Sequence, residues 1–459
     1  MMPVIVVLVA ALFAWSTLRQ DMALPFIGLT LASPFLLRLV RSPAALAALT
    51  IAAQAWGRYS FGPFLTPFKV VGVLLGIATL GTILKQRRVR AIPVGFSAAI
   101  LTMSALVLLS ETLAPYGSSM TMLYEIMGTF GMFLMLSQIP MDYRAVRVIG
   151  MGQSVGIVLI AVVVFMEVGW ERLGTGVVRA RGPMAQPNLM AEEAARVLPF
   201  ALALLLDREN RWLSRLLGLL AVAGAAYSQF AAASRGGSLG MVFGLVVFAV
   251  ASGRSMASRF GNILVIAALL AGFVLVSPRS YDQRVLGTVR AEQVDDDLTS
   301  ERLSQLEFAK VLIPQRPFFG WGSTGFPSMH AYQVSGRVTA LHSSILSLVV
   351  AYGIPVLVLY VSMVLGGVIV GVRGIRRWSS RHLYGNAALA AAAASFSASI
   401  SGTMVFRLPL WFPILLLYLI AHHQSLERRR EIREAEDAAL VEPPQDPVPQ
   451  AATALPLRT

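Results

Sequence analysis

Three arginines and one histidine carry the chemistry that the residue types allow. Arg179 and Arg181 stand in Arg179-Ala180-Arg181-Gly182-Pro183-Met184-Ala185-Gln186-Pro187-Asn188, which enters an apolar run through Pro187 and Asn188. Arg235 stands in Ser234-Arg235-Gly236-Gly237-Ser238, which enters another. A helix start presents free backbone N–H groups and a partial positive charge, and glycines such as Gly236 and Gly237 let a ligand approach closely. Arginine stays charged and grips phosphate oxygens with a bidentate fork. Two such starts, each with a guanidinium, form a receptor for a phosphate or pyrophosphate. His342, in Thr339-Ala340-Leu341-His342-Ser343-Ser344-Ile345-Leu346, stands where a long loop re-enters an apolar run. An imidazole there is a hydrogen-bonded structural residue or a general base, and both readings stay open on the residues alone.

The elements that position these groups are membrane spans. Of 459 residues, 56% are hydrophobic and only 14% charged, with a mean hydropathy of +0.68. Soluble domains carry about a quarter charged residues, so a soluble enzyme is excluded and an all-α polytopic membrane protein is expected. Cysteine is absent, which excludes disulfides, thiolate metal sites and a cysteine nucleophile. The net charge is +14, and the lysines are only Lys69, Lys85 and Lys310. Most basic residues sit between apolar runs, where the rule for cytoplasmic loops explains them, so no nucleic acid partner is expected.

Windows of about 20 apolar residues give spans 3–18, 22–40, 43–57, 64–84, 92–112, 119–138, 144–168, 187–206, 211–231, 236–252, 257–277, 340–370, 383–402 and 407–423. The span at 43–57 is short and 383–402 is mainly alanine and serine, so the expected number is about 12–14. The first run lacks a basic leader and is read as a span. The clusters around Lys85–Arg90, Arg144, Arg208–Arg215, Arg254, Arg373–Arg381 and Arg428–Arg433 then share one side, the cytoplasm, with both termini. Residues 1–168 form an N-terminal set of helices, 169–423 a second region, and 424–459 a charged, proline-rich tail that ends disordered. Segments 169–186, 232–235 and 278–339 then lie on the opposite, outer side. Loops near sixty residues escape the charge rule, which excuses the arginines of 278–339 but not Arg179, Arg181 or Arg235.

The long loop, 278–339, has structure of its own. Leu303, Leu306, Ala309 and Ile313 recur at near-helical spacing, which predicts an amphipathic helix at the membrane surface, capped by Thr299 or Ser300, with Asp295–Asp297 at its positive end. Capping or solvation of that acidic triplet is preferred over a cation site, and no metal is expected. Pro317-Phe318-Phe319-Gly320-Trp321-Gly322-Ser323-Thr324-Gly325-Phe326 has G-x-G-x-x-G spacing but follows no strand, so Gly322 belongs to a tight turn and not to a dinucleotide site. His330 lies in the loop as a minor candidate, while His382, His422 and His423 fall at the cytoplasmic side as bystanders.

Four ordered motifs now resemble the superfamily of O-antigen ligases and Wzy-type O-antigen polymerases, bacterial membrane glycosyltransferases. They are R-x-x-G-x-x-x-x-P-N at Arg179 to Asn188, S-R-G-G at Ser234 to Gly237, P-x-x-G-x-G-x-x-G-F at Pro317 to Phe326, and H-[NS]-x-x-L at His342 to Leu346. The resemblance spans roughly 170–360. It implies a GT-C-type O-antigen ligase fold in the bacterial inner membrane, with a partly helical periplasmic loop and the active site on the periplasmic side. The implied activity is inverting transfer of a glycan from undecaprenyl pyrophosphate to an acceptor hydroxyl, on a growing glycan or on lipid A-core. Neither a metal nor another cofactor is implied. His342 would be the base, Arg179, Arg181 and Arg235 the pyrophosphate ligands, and Asn188, Gly236, Gly237 and Gly322 their supports. The family often has an acidic residue before the Y-G that follows the histidine; here Ala351 precedes Tyr352 and Gly353, so no carboxylate partner for His342 is expected from that position.

The competing class is a multi-pass transporter or flippase of lipid-linked saccharides. Transporters place ionisable residues near the bilayer midplane. Here Glu111, Glu125, Glu167, Glu192 and Glu193 fall near outer ends of spans, which favours the enzyme.

Overall fold

In the computed structural model, the described residues are 42–54, 66–87, 89–116, 119, 121–174, 179–184, 186–253, 255–282, 285, 296–325, 343–376, 383–401 and 408–441. Their regular elements are helices: α1 (Pro43–Gln54), α2 (Pro67–Gln86), α3 (Val94–Thr112), α4 (Thr121–Ser137), α5 (Tyr143–Gly174), α6 (Pro187–Leu206), α7 (Trp212–Ala232), α8 (Arg235–Ser252), α9 (Met256–Leu275), a one-turn α10 (Arg279–Tyr281), α11 (Asp296–Gln315), α12 (Ser344–Tyr352), α13 (Ile354–Ile375), α14 (Leu383–Ser401) and α15 (Leu408–Val441). Among the described residues, eight helices are long and apolar enough to cross a membrane: α2, α3, α5, α7, α8, α9, α13 and α14. The chain is a polytopic membrane protein. Each predicted span from 43–57 onward overlaps one helix, except 340–370, which overlaps two, while 3–18 and 22–40 lie outside the described residues.

Starts and breaks follow from local chemistry. Pro67 and Pro187 sit at helix starts, where a missing N–H costs nothing. Ser234, Ser255 and Ser343 accept from the third N–H of α8, α9 and α12. The predicted span 340–370 is not continuous. Gly353, at φ 84°, separates α12 from α13, and an added Cβ there would stand 2.4 Å from the Phe318 carbonyl oxygen. Only glycine meets both demands.

Helix packing uses small residues, as expected where lipid offers no hydrophobic drive between helices. A Cβ on Gly240 or Gly244 of α8 would press on Ala394 of α14, and one on Gly367, Gly371 or Gly374 of α13 would press on α15. The core centres on α6, where Met190, Ala191, Ala194, Val197, Phe200 and Leu204 are buried on almost every side. By contrast, only Leu75 and Thr79 of α2 and only Ile266 of α9 are buried, and the rest of their apolar residues are half-buried or exposed, the surface that lipid covers.

The loop helix exists but differs from its forecast. It starts at Asp296, so Thr299 and Ser300 lie inside it and do not cap it. Its buried row is Gln305, Ala309 and Leu312, and Leu306 is 40% exposed. Ala309 and Leu312 pack on Val349 and Val350 of α12, so this face meets protein and not the membrane surface.

Candidate functional site

Two helix starts meet side by side. Gly237, in the first turn of α8, lies so close to α6 that an added Cβ would stand 2.3 Å from the Ala191 Cβ and 3.1 Å from its carbonyl carbon. A side chain at Gly237 would force the two starts apart, so this glycine is there for close approach. Ser234 caps α8 by accepting from Gly237 N at 3.3 Å, and Ser238 Oγ donates back to the Ser234 carbonyl at 2.8 Å. Having used its proton there, Ser238 Oγ accepts from Tyr281, 2.7 Å away, which ties the segment after α9 to the mouth of α8. Tyr281 also packs on Phe230 and Phe273. Burial raises its phenol above the ordinary value, although the Ser238 contact works in the opposite direction, so the hydroxyl stays neutral and able to donate.

The arginine motif folds onto this pair of starts. Ala180 N donates to the Ala231 carbonyl at 3.0 Å, and Arg179 Nε donates to the Ala232 carbonyl at 2.8 Å. Arg179 Nη2 donates to Asn188 Oδ1 at 2.8 Å. One guanidinium thus bridges the end of α7 and the start of α6. Gly182, at φ 54°, turns the chain into a short 3₁₀ segment and donates its N–H to Glu167 Oε2 at 3.1 Å. Arg179 and Arg235 are half-buried, Arg181 and Asn188 exposed, and Gly236 half-buried. Arg179 and Asn188 therefore join Arg235, Gly236 and Gly237 around two adjacent helix N-termini, where oriented N–H groups and guanidinium groups suit an anion.

The glycine-rich turn docks elsewhere. Trp321 N donates to Val350 O and Gly322 N to Ala351 O, both at 2.9 Å, while Ile354 N donates to Pro317 O at 2.7 Å. Gly320 and Gly322 have φ of 60° and 77°, the tight turn that their spacing predicts. Gly322 is packed against Ala114, so it shapes this turn, and its contacts are not with the two helix starts.

Glu111, singled out from the sequence only for its place near a span end, organises that turn. Its carboxylate, 1% exposed, accepts from Ser323 N at 3.0 Å, Tyr352 Oη at 3.1 Å and Ser119 N at 2.9 Å. A negative group in the last turn of α3 opposes the helix dipole, so these donors are what make it tolerable. Ala351 offers no carboxylate, and α3 brings one to its neighbour Tyr352 from 241 residues away. Removing it takes away the acceptor of three buried or half-buried hydrogen bonds, and a buried donor that loses its acceptor costs about 1–3 kcal/mol. Glu111→Ala is expected to lower stability by at least about 2–3 kcal/mol, read as a fall in the melting temperature of the detergent-purified protein; an unchanged melt would show that the hub contributes nothing.

Sequence reasoning also passed over Arg196. It is 1% exposed within α6, pairs with the buried Glu193 one turn away and lies over the Phe412 ring at 5.9 Å. Its signal was available as the i, i+3 spacing of opposite charges on a helix, which places both on one face. Its Nε and Nη1 have no hydrogen-bond partner among the described residues. Charge is thus present within this span, deeper than the carboxylates near its end. His330 and His342 lie outside the described residues, as does His382. His422 meets the Ala91 carbonyl at 2.7 Å and His423 pairs with Glu427 at 3.2 Å, both on α15 and with partners away from the helix starts. Among the described residues, no three His, Cys, Asp or Glu side chains group as metal ligands would.

A family model described as O-antigen ligase matches residues 220–361. The match covers Arg235, Gly236, Gly237, Gly322 and His342, while Arg179, Asn188 and Glu111 reach these elements only through packing. No curated protein matches the chain significantly.

Proposed function

We propose, from the match of residues 220–361 to the O-antigen ligase family, that this chain transfers a glycan from undecaprenyl pyrophosphate to an acceptor hydroxyl at the periplasmic face of the inner membrane. The observation that carries this reading is the junction of two helix N-termini, α6 and α8, with Arg179 tying the first to the end of α7 and Arg235 opening the second. Such a junction fits a diphosphate better than a single phosphate, because each helix start serves one phosphoryl group.

In the proposed step the acceptor hydroxyl attacks the anomeric carbon in line, the C–O bond to pyrophosphate breaks, and the sugar inverts. The departing pyrophosphate gains negative charge, which the arginines and the oriented N–H groups stabilise more strongly in the transition state than in the ground state. Arg181, exposed beside Arg179, assists. His342 takes the hydroxyl proton as the bond forms. With guanidinium groups serving the leaving group, a divalent cation has no task left.

The test is reconstitution of the full chain in lipid with a lipid pyrophosphate-linked oligosaccharide and an acceptor, with product mass and anomeric configuration measured. A new, inverted glycosidic bond is expected, at an undiminished rate in EDTA. Movement of intact donor across the bilayer without any new bond would instead identify a flippase. A lipid A-core acceptor marks a ligase, and a repeat-unit acceptor marks a polymerase.

A further inference from the structure

Gln229 lies in the last turn of α7, four residues before Ala233, whose left-handed conformation (φ 43°) ends that helix. Its side chain is fully buried. The carboxamide Nε2 donates to the Ala191 carbonyl at 2.7 Å and to the Gly237 carbonyl at 3.3 Å. A helical carbonyl has a second lone pair, so both bonds are made without breaking α6 or α8. Ala191 and Gly237 are also the residues at which these helices come into closest packing. One amide therefore grips both starts at the level of their contact.

The same helix end carries the rest of the assembly. Its next residues offer Ala231 O to Ala180 N and Ala232 O to Arg179 Nε. Residues 229–233 thus hold Arg179 and both helix starts, alongside the Arg179–Asn188 bond and the direct contact of Gly237 with Ala191. The Oε1 of Gln229 is buried with no hydrogen-bond partner among the described residues. Selection for stability alone would favour an apolar side chain of the same size, because an unmet acceptor is penalised in a dry bundle. The N–H groups, and not the bulk, are what this position uses.

We propose that Gln229 is a positioning residue for the pyrophosphate site. Through the carbonyls of Ala191 and Gly237 it sets the register of α6 against α8, and hence the span between the Arg179–Asn188 unit and Arg235. It touches no substrate. The inference rests on the pyrophosphate reading above, and its effect is large because a displacement near 1 Å between anchoring groups is enough to lose a two-ended grip.

The experiment compares wild type, Gln229→Met, Gln229→Asn and Arg235→Ala as full-length proteins in lipid nanodiscs. Inorganic pyrophosphate binding, melting temperature, and kcat and KM for donor and acceptor are measured. Gln229→Met keeps the volume and removes both donors. It is expected to melt as wild type does, bind pyrophosphate about tenfold more weakly and lower kcat/KM for the donor in proportion, with acceptor KM unchanged. Gln229→Asn keeps the donors on a shorter arm and is expected to lose less. A methionine variant with wild-type pyrophosphate affinity overturns the inference, as does an asparagine variant that loses as much as methionine. Loss of assembled protein in both variants also overturns it, since that is the behaviour of a purely structural amide. Should Arg235→Ala bind pyrophosphate as wild type does, the pyrophosphate reading itself fails. If Arg235→Ala weakens binding and Gln229→Met does not, only the role of Gln229 falls.

Discussion

Arg235→Ala is expected to slow glycan transfer about 10²–10³-fold while the protein assembles normally, the range seen when one preorganised donor to a developing negative charge is removed. The structure explains why assembly should survive. Arg235 is the first residue of α8 and half-buried, and the cap of that helix is supplied by Ser234, whose carbonyl accepts from Ser238 Oγ, and the substitution leaves both in place. The close contact of Gly237 with Ala191 is likewise untouched. The loss should appear mainly in kcat, because charge on the leaving pyrophosphate grows as the glycosidic bond breaks. Arg235→Lys should recover part of the rate, since a lysine restores the charge but not the planar fork. Initial rates at saturating and limiting lipid donor separate the two parameters. An alanine variant within a few-fold of wild type in kcat/KM would remove Arg235 from the mechanism.

His342→Ala is expected to cost more, about 10²–10⁴-fold, the usual contribution of a positioned general base. Its neighbour Ser343 caps α12 by accepting from Leu346 N at 3.4 Å, and the substitution leaves that cap residue in place. The docking of the glycine-rich turn on Val350, Ala351 and Tyr352 is set by backbone bonds and by Glu111, at the other end of α12. Pyrophosphate binding should therefore remain at the wild-type level, and the acid limb of the pH–rate profile should disappear with the base. Near wild-type transfer by His342→Ala, with the limb intact, would transfer the role of base to another group.

The contrast between Glu111 and the arginines shows how far spacing alone reaches. Arg179 and Arg235 became candidates because a charge at the mouth of a short connection, read as outer, breaks a rule that other loops obey. Glu111 breaks none: a carboxylate at a span end is unremarkable until the fold turns it toward Ser323, Ser119 and Tyr352. Gln229 was equally silent, being a polar residue in an apolar run, and its meaning depends on which two carbonyls lie above it. The loop helix gave a mixed outcome. Its periodicity announced a helix, but Leu306 faces outward and Gln305 inward, because the partner surface on α12 selects the row that is buried.

Hydropathy and the placement of proline, serine and glycine determined from the sequence alone that this chain crosses a membrane many times, and where most helices begin and end. Those are local properties, set by the transfer of each segment out of water and by the satisfaction of its terminal N–H groups. Only the tertiary structure decided that the starts of α6 and α8 lie together, that Arg179 bridges α7 to α6, and that a carboxylate from α3 serves the turn at Gly322. Apolar helices in lipid have no strong preference for one neighbour over another, so small-residue contacts and buried hydrogen bonds make that choice, and these join positions too far apart in sequence for any periodicity to reveal.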